Sequence, residues 1–331
     1  MRSFSTTLVA LGSLLSAALA TPHVQPTIRQ AVTAEGLPSN GIPTVDNLKT
    51  AACKPWIAAA VEIQRALLYA SPFSLALEAA GLPNGAADGS MLADPNEVLR
   101  PANNGLQTIV GLLRPLPAQF GVSHGDVLHL AGVLGVLACP GGPKIKTYVG
   151  RGEPKNISPD GLLPDPNDPV PVLTARFADM GFSVRELIAL IGAHSTGKQR
   201  FVDPAFAGDA FDSTVDIWDV RFYSETQNRT AAPGTFRLNS DVNFSHNAST
   251  IAAWNRFVRN QDSWEGDYSK AHEKMSLLGL DADTLTDCTE ILPRSIDISS
   301  LTVPGFSGDG DPTVDPVKLE AAIQEFRSIW L

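Results

Sequence analysis

The chain has 331 residues, 44% of them hydrophobic and 18% charged, enough to bury a sizeable core and too apolar for a disordered polypeptide. Its 25 Lys and Arg against 35 Asp and Glu leave a formal charge of −10, which repels phosphate backbones and anionic lipid and so argues against nucleic-acid and membrane roles. The cysteines Cys53, Cys139 and Cys288 are too far apart for a CxxC zinc knuckle; one long-range disulfide and one buried thiol are expected.

Residues 1–20 read as a secretory signal: Arg2 supplies the positive start, Leu8 to Leu19 are apolar, and Ala18-Leu19-Ala20 suits the peptidase. That run is too short to span a bilayer, and no later run is long enough. Sequons beginning at Asn156, Asn228, Asn243 and Asn247 fit a secreted glycoprotein. Residues 21–52, polar and broken by Pro and Gly, read as a pro-segment or N-terminal arm.

From Cys53 onward the periodicity is helical. Asn104 is placed to cap a helix through Leu106, Ile109, Val110 and Leu113. Ser123 precedes an apolar helix through Val127, Leu128, Ala131, Leu134 and Leu137 that stops at Cys139-Pro140-Gly141-Gly142. Ser183 with Glu186 three residues on is a capping box opening a helix through Ile191. Trp254, Phe257 and Val258 mark another helix, Met275, Leu277 and Leu278 close the next, and Pro316 opens a last one bearing Leu319, Ile323, Phe326 and Trp330. The loops at 140–171 and 199–235 are long and rich in Pro, Gly and Asp, the kind that bind something or need pinning. The expectation is a mainly α protein with large loops.

Three local patterns carry chemistry. Leu187, Ile191 and His194 stand at i, i+4 and i+7, so the imidazole emerges on an apolar face; Gly192 and Gly197 beside it let something large and flat approach the backbone. Asp212, Thr214 and Asp219, with the Ile217 carbonyl between them, offer the oxygen ligands a hard cation such as calcium takes, without a full EF-hand loop. Asp241 follows in Phe236-Arg-Leu-Asn-Ser-Asp241.

Taken in order, GAHST at 192–196, FDSTVDIWDVRFY at 211–223, RLNSD at 237–241, FVRNQ after Trp254, KMSLLG and LTDC resemble the secreted fungal haem peroxidases of class II across roughly residues 86–292. The resemblance implies two helical halves sandwiching haem b: a distal half over 53–155, a proximal half over 156–300 and a tail over 301–331, with the boundary in the loop at 150–170. It implies His194 as axial haem ligand and Asp241 as the carboxylate bonded to the other ring nitrogen. Ser195, Asp212, Thr214, Ile217 and Asp219 match a proximal calcium site, and Ala86, Asp88 and Ser90 part of a distal one. Cys53 and Cys288 would form the disulfide, leaving Cys139 free. Hydrogen peroxide and small aromatic reductants are the expected partners, and the protein is expected to act as a monomer outside the cell.

The sequence departs from the family on the distal side. Relatives carry an Arg, then a His four residues later, then an Asp; here no histidine occurs between Cys53 and Asn103. Counting back from Phe73 puts Gln64 at the Arg position, Leu68 at the His position and Tyr69 at the Asp position, while a shifted register keeps Arg65 as the arginine. Asn103 matches the asparagine that orients the absent His. A mis-called exon and a peroxidase-like protein that binds haem or calcium without turnover both explain the gap; loss of a core helix would expose apolar surface around Leu128 and Leu134. Arg200 and Ala189 stand where manganese-oxidising relatives have an Asp and lignin-type relatives a surface Trp, so neither specialisation is expected. A serine hydrolase is disfavoured because His194 and Ser195 are adjacent, and Gly305-Phe306-Ser307 has Asp309 where the elbow glycine belongs. A non-enzymatic calcium-binding protein is the runner-up.

Overall fold

A computed structural model describes residues 48–70, 88–214, 216–228 and 230–295, with 298, 302–303, 313–314 and 317 beyond them. The signal, residues 21–47 of the 21–52 arm, Ala86 and the C-terminal helix predicted from Pro316, apart from Val317, lie outside the described residues, as do the side chains of Leu68 and Tyr69.

Helices dominate. The first group is α1 (Lys54–Ala70), α2 (Ser90–Ala93), α3 (Gln107–Leu113), α4 (Leu116–Phe120) and α5 (His124–Ala138). Ser123 caps α5 by accepting from the Asp126 amide at 3.1 Å, and the helix stops at Cys139, ahead of the Pro-Gly-Gly run. The cap predicted at Asn104 is not made: the N-cap of α3 is Leu106, and the Gln107 side chain instead accepts from the Gly105 amide at 2.9 Å. The second group is α6 (Val170–Asp179), α7 (Val184–Ile191), α8 (Arg221–Gln227), α9 (Asn239–His246), α10 (Ile251–Phe257) and α11 (Gln261–Ser276). The capping box of α7 is complete: Ser183 Oγ accepts from the Glu186 amide, and Glu186 Oε2 accepts from the Ser183 amide at 2.8 Å. Helix α10 takes in Trp254 and Phe257 and leaves Val258 as its C-cap, and α11 takes in Met275 and ends at Ser276, just before Leu277 and Leu278.

Packing follows these groups. Helix α1 lies on α5, α3 and α4, while α7 lies on α11, α10 and α6, and α8 and α10 flank α9. Leu128 and Leu134 are 3% and 0% exposed, contrary to the apolar gap expected there, because α1 covers α5. The two groups are fastened together. Strand β1 (Tyr148–Val149) pairs antiparallel with β2 (Thr286–Asp287). Arg151 pairs with Asp126 of α5 at 2.8 Å and donates to the Ser276 carbonyl of α11 at 2.7 Å; both charged groups are buried. Such a pair keeps its charges tolerable only because its donors and acceptors are mostly used. Cys53 and Cys288 form a disulfide, tying the start of α1 to the segment after β2. Cys139 is free and buried, its thiol pushed up to about 12 by burial and then by Asp216. A second small pairing joins β3 (Thr302–Val303) to β4 (Thr313–Val314).

Candidate active site

Helix α7 ends at Ile191 and tightens into a 3-10 turn over Gly192–Thr196, so His194 projects from that turn rather than from the α-helix itself. Its Nδ1 lies 2.8 Å from Asp241 Oδ2; Asp241 sits in the first turn of α9 and is 1% exposed. The ring is flanked by Phe211 at 5.2 Å and by the edge of Phe222 at 5.7 Å, two neighbours the sequence reading did not assign to the site. Nε2 has no partner among the described residues, and the side chain keeps 11% of its surface open. The imidazole is therefore held by one nitrogen and offers the other.

The two glycines beside it have a different use from the one expected. A Cβ on Gly192 would stand 2.3 Å from Tyr223 Oη and 2.4 Å from Trp264 Nε1, and one on Gly197 would stand 2.9 Å from the Phe211 ring. The flat groups pressed on this backbone are the chain's own aromatic side chains.

Directly after His194 the chain turns into a cluster of oxygens. Ser195 Oγ donates to Asp212 Oδ2 at 2.7 Å and lies 3.2 Å from the Ile217 carbonyl; Thr214 Oγ1 donates to Asp219 Oδ1 at 3.1 Å and lies 3.4 Å from Asp212 Oδ1. All five residues predicted for the proximal cation thus meet. Burial, and then the Asp219 charge, push the Asp212 carboxyl well above its ordinary range, and burial pushes Asp219 up to about 6. Arg221 offsets the Asp219 charge only in part, and two acids buried this close together are what a divalent cation would relieve. Among the described residues no three His, Cys, Asp or Glu side chains gather in a metal-holding group; the cluster has two carboxylates, and its other oxygens are hydroxyl and carbonyl.

On the distal side Asp88 Oδ1 accepts from the Ser90 amide at 2.9 Å, and Ser90 Oγ is 2.8 Å from Ser158 Oγ. Glu97, buried and not foreseen, accepts from the Ser158 amide at 3.3 Å, while its own carbonyl accepts from Asn103 Nδ2 at 2.8 Å. Asn103 is thereby linked to the Asp88–Ser90 turn through Glu97 and Ser158. No local pattern marks Glu97 or Ser158, which come from a short 3-10 turn and a loop about sixty residues apart. Gln64 is buried in α1, its Nε2 without a partner among the described residues, and Arg65 pairs with Glu62 at 2.6 Å.

The family model of the peroxidases matches residues 51–260. A peroxidase of Arthromyces ramosus is 32% identical over 274 residues, covering 78% of this chain and 74% of its own length. A low-redox potential peroxidase of Taiwanofungus camphoratus is 35% identical over 259 residues, covering 73% and 78%, and ligninase H2 of Phanerodontia chrysosporium is 36% identical over 226 residues, covering 63% and 61%. These matches, joined to the mainly helical fold, place the chain in the peroxidase family, in its fungal class II branch: it is a haem peroxidase.

Proposed function

We propose that the chain holds haem b through His194 Nε2 and calcium through the 212–219 loop, and oxidises small phenolic donors with hydrogen peroxide as a secreted monomer. The observation that carries this reading is the His194–Asp241 bond of 2.8 Å with Nε2 left open. The carboxylate fixes the proton on Nδ1 and makes the imidazole a stronger donor through the other nitrogen, the arrangement wanted behind a ferric iron. Haem, when bound, would supply the iron at which peroxide is reduced and the edge at which a donor gives up its electrons.

Ser195, Asp212, Thr214, Asp219 and the Ile217 carbonyl would take a hard cation, and Asp212 and Asp219 would then be ionised. Because Ser195 follows His194 directly, that ion would fix the turn carrying the ligand. Asp88 and Ser90, with the Ala86 carbonyl, would hold a second calcium. Asn103 commits its Nδ2 to Glu97, which leaves Oδ1 as the acceptor for a distal imidazole that residues 54–102 do not contain. Lacking that general acid–base group and the distal arginine, the chain should consume peroxide at least roughly 10²-fold more slowly than a relative with both. Arg200 and Ala189 leave oxidation of small phenols at the haem edge as the reaction the chain is equipped for. Secretion is supported by the 1–20 segment and by the exposure of Asn156, Asn228 and Asn243; no described helix is long and apolar enough to cross a membrane.

The test is the absorption spectrum of the purified protein mixed with haemin and calcium. A Soret band is expected that His194→Ala abolishes while calcium binding survives, with slow phenol oxidation on adding peroxide. A folded protein that gives no band, or a band indifferent to His194→Ala, would overturn the assignment.

A further inference from the structure

We propose that the buried rings leading from His194 to Tyr268 form a relay for oxidising equivalents, with the Tyr268–His272 pair as its terminal sink. The inference rests on the reading of His194 as the haem ligand.

The rings form an unbroken series. Phe222 lies 5.7 Å from His194 and 5.5 Å from Trp254; Tyr223 lies 5.1 Å from Trp254 and 5.9 Å from Trp264. Trp264 stacks on Trp218 at 5.1 Å with planes 8° apart, and Trp218 meets Tyr268 edge-on at 4.7 Å. Every ring beyond His194 is at most 1% exposed. Electron tunnelling falls exponentially with distance, so a series of easily oxidised Trp and Tyr rings in contact carries charge where a single long jump would fail; Phe222 is not itself oxidised and only fills the short gap the electron tunnels across between Trp254 and His194. The series passes beneath the end of α7, and Gly192 is what lets Tyr223 and Trp264 come so close to the turn bearing His194.

Packing alone does not account for these residue types. A core that needs only bulk is filled by Leu and Phe, whereas each Trp and Tyr brings a polar hydrogen to satisfy. Trp218 Nε1 and His272 Nε2 are buried with no partner among the described residues, a cost that a role in charge transfer would explain.

The proton chemistry singles out the far end. Trp254, Trp264 and Tyr223 donate to the carbonyls of Tyr223, Ala189 and Ile188, and a carbonyl does not keep a proton. A ring oxidised there must pass the charge on. Tyr268 Oη instead lies 3.2 Å from His272 Nδ1. Burial lowers His272 to about 4, so the imidazole is neutral and free to accept. The step balances: Tyr268 gives up one electron, which travels through Trp218, Trp264 and Tyr223 with Trp254 to the peroxide-oxidised cofactor and reduces it by one equivalent. The phenol proton moves to His272 Nδ1, leaving a neutral tyrosyl radical beside an imidazolium; an electron from a donor reverses both.

The experiment is electron paramagnetic resonance of the haem-loaded protein, frozen shortly after oxidation with an aromatic peracid, whose O–O bond breaks without a general acid. Absorption spectra are followed in parallel. A tyrosyl signal is expected that narrows with ring-deuterated tyrosine and disappears in Tyr268→Phe. In that variant the oxidised cofactor should persist several-fold longer without a donor, while His272→Gln keeps the tyrosine and shortens the life of its radical. An unchanged radical spectrum and unchanged decay in Tyr268→Phe would overturn the relay and leave the haem assignment standing. A protein without a His194-dependent Soret band would overturn the assignment and the relay with it.

Discussion

His272 shows how a single buried side chain makes the molecule sensitive to acid. It is fully buried in α11, and burial lowers it from 6.5 to about 4. Between those values the unfolded chain binds a proton that the folded chain refuses, so stability is complete above pH 6.5 and falls as the pH drops toward 4. The loss over the whole interval is on the order of 3 kcal/mol, much of it incurred by about pH 5. Urea unfolding of the wild type and of His272→Gln at about pH 7 and about pH 5 isolates this contribution from the carboxylates, which both proteins share. The variant should lose less stability than the wild type on acidification; equal losses would show that His272 is not held neutral. Residues of this kind are hard to find in a sequence. His194 stood out because its apolar spacing and its neighbours fit a pattern, whereas His272 sits in a charged, unremarkable stretch, and its burial comes from Tyr268 and the helices around α11. Gly192 and Gly197 were recognised as places of close approach, but the partners, Trp264, Tyr223 and Phe211, are brought there by elements distant in the chain.

At the scale of elements, the loop from Phe211 to Asp219 is tied to the turn that carries His194 through Ser195, so whatever fills the oxygen cluster stiffens both. Calcium bound at about a hundred times its dissociation constant would add on the order of 3 kcal/mol. Stripping it with a chelator should lower the melting temperature, and readdition should restore it; Asp212→Asn should respond less than the wild type to either step, what remains belonging to the Asp88–Ser90 site. A melting temperature indifferent to chelation in the wild type would remove the cation from the account of this loop. Four of the five ligands fall within eight consecutive residues, so their meeting was legible in the sequence. The distal cluster was not, because the Asp88–Ser90 turn is completed by Glu97 and by Ser158, a carboxylate and a hydroxyl that no local pattern marks. The capping box at Ser183 was legible for the opposite reason: both halves of the motif lie within one turn.

For the whole molecule the question is what keeps the N-terminal helices joined to the proximal ones. The hydrophobic periodicity identified most of the helices, but not their grouping, which depends on contacts between distant segments. The Cys53–Cys288 disulfide spans 235 residues, and its surroundings reinforce it: Glu290 accepts from the amides of Lys49 and Thr50 at 3.0 and 2.8 Å, and the Cys288 amide donates to Thr147 at 2.8 Å. Closing so long a loop removes much of the freedom of the unfolded chain, so losing the bridge should cost about 2–5 kcal/mol. That cost falls on α1 first, since the bridge and the amide contacts at Glu290 anchor its start. Arg151, bonded to Asp126 and Ser276, holds α5 against α11 by an independent route. The double variant Cys53→Ser, Cys288→Ser should therefore melt well below the wild type, with hydrogen exchange rising in α1 before it rises in α7 and α11. Exchange rising equally in α1 and α7 would mean that the two helical groups unfold as one unit and that the disulfide acts only through the unfolded chain.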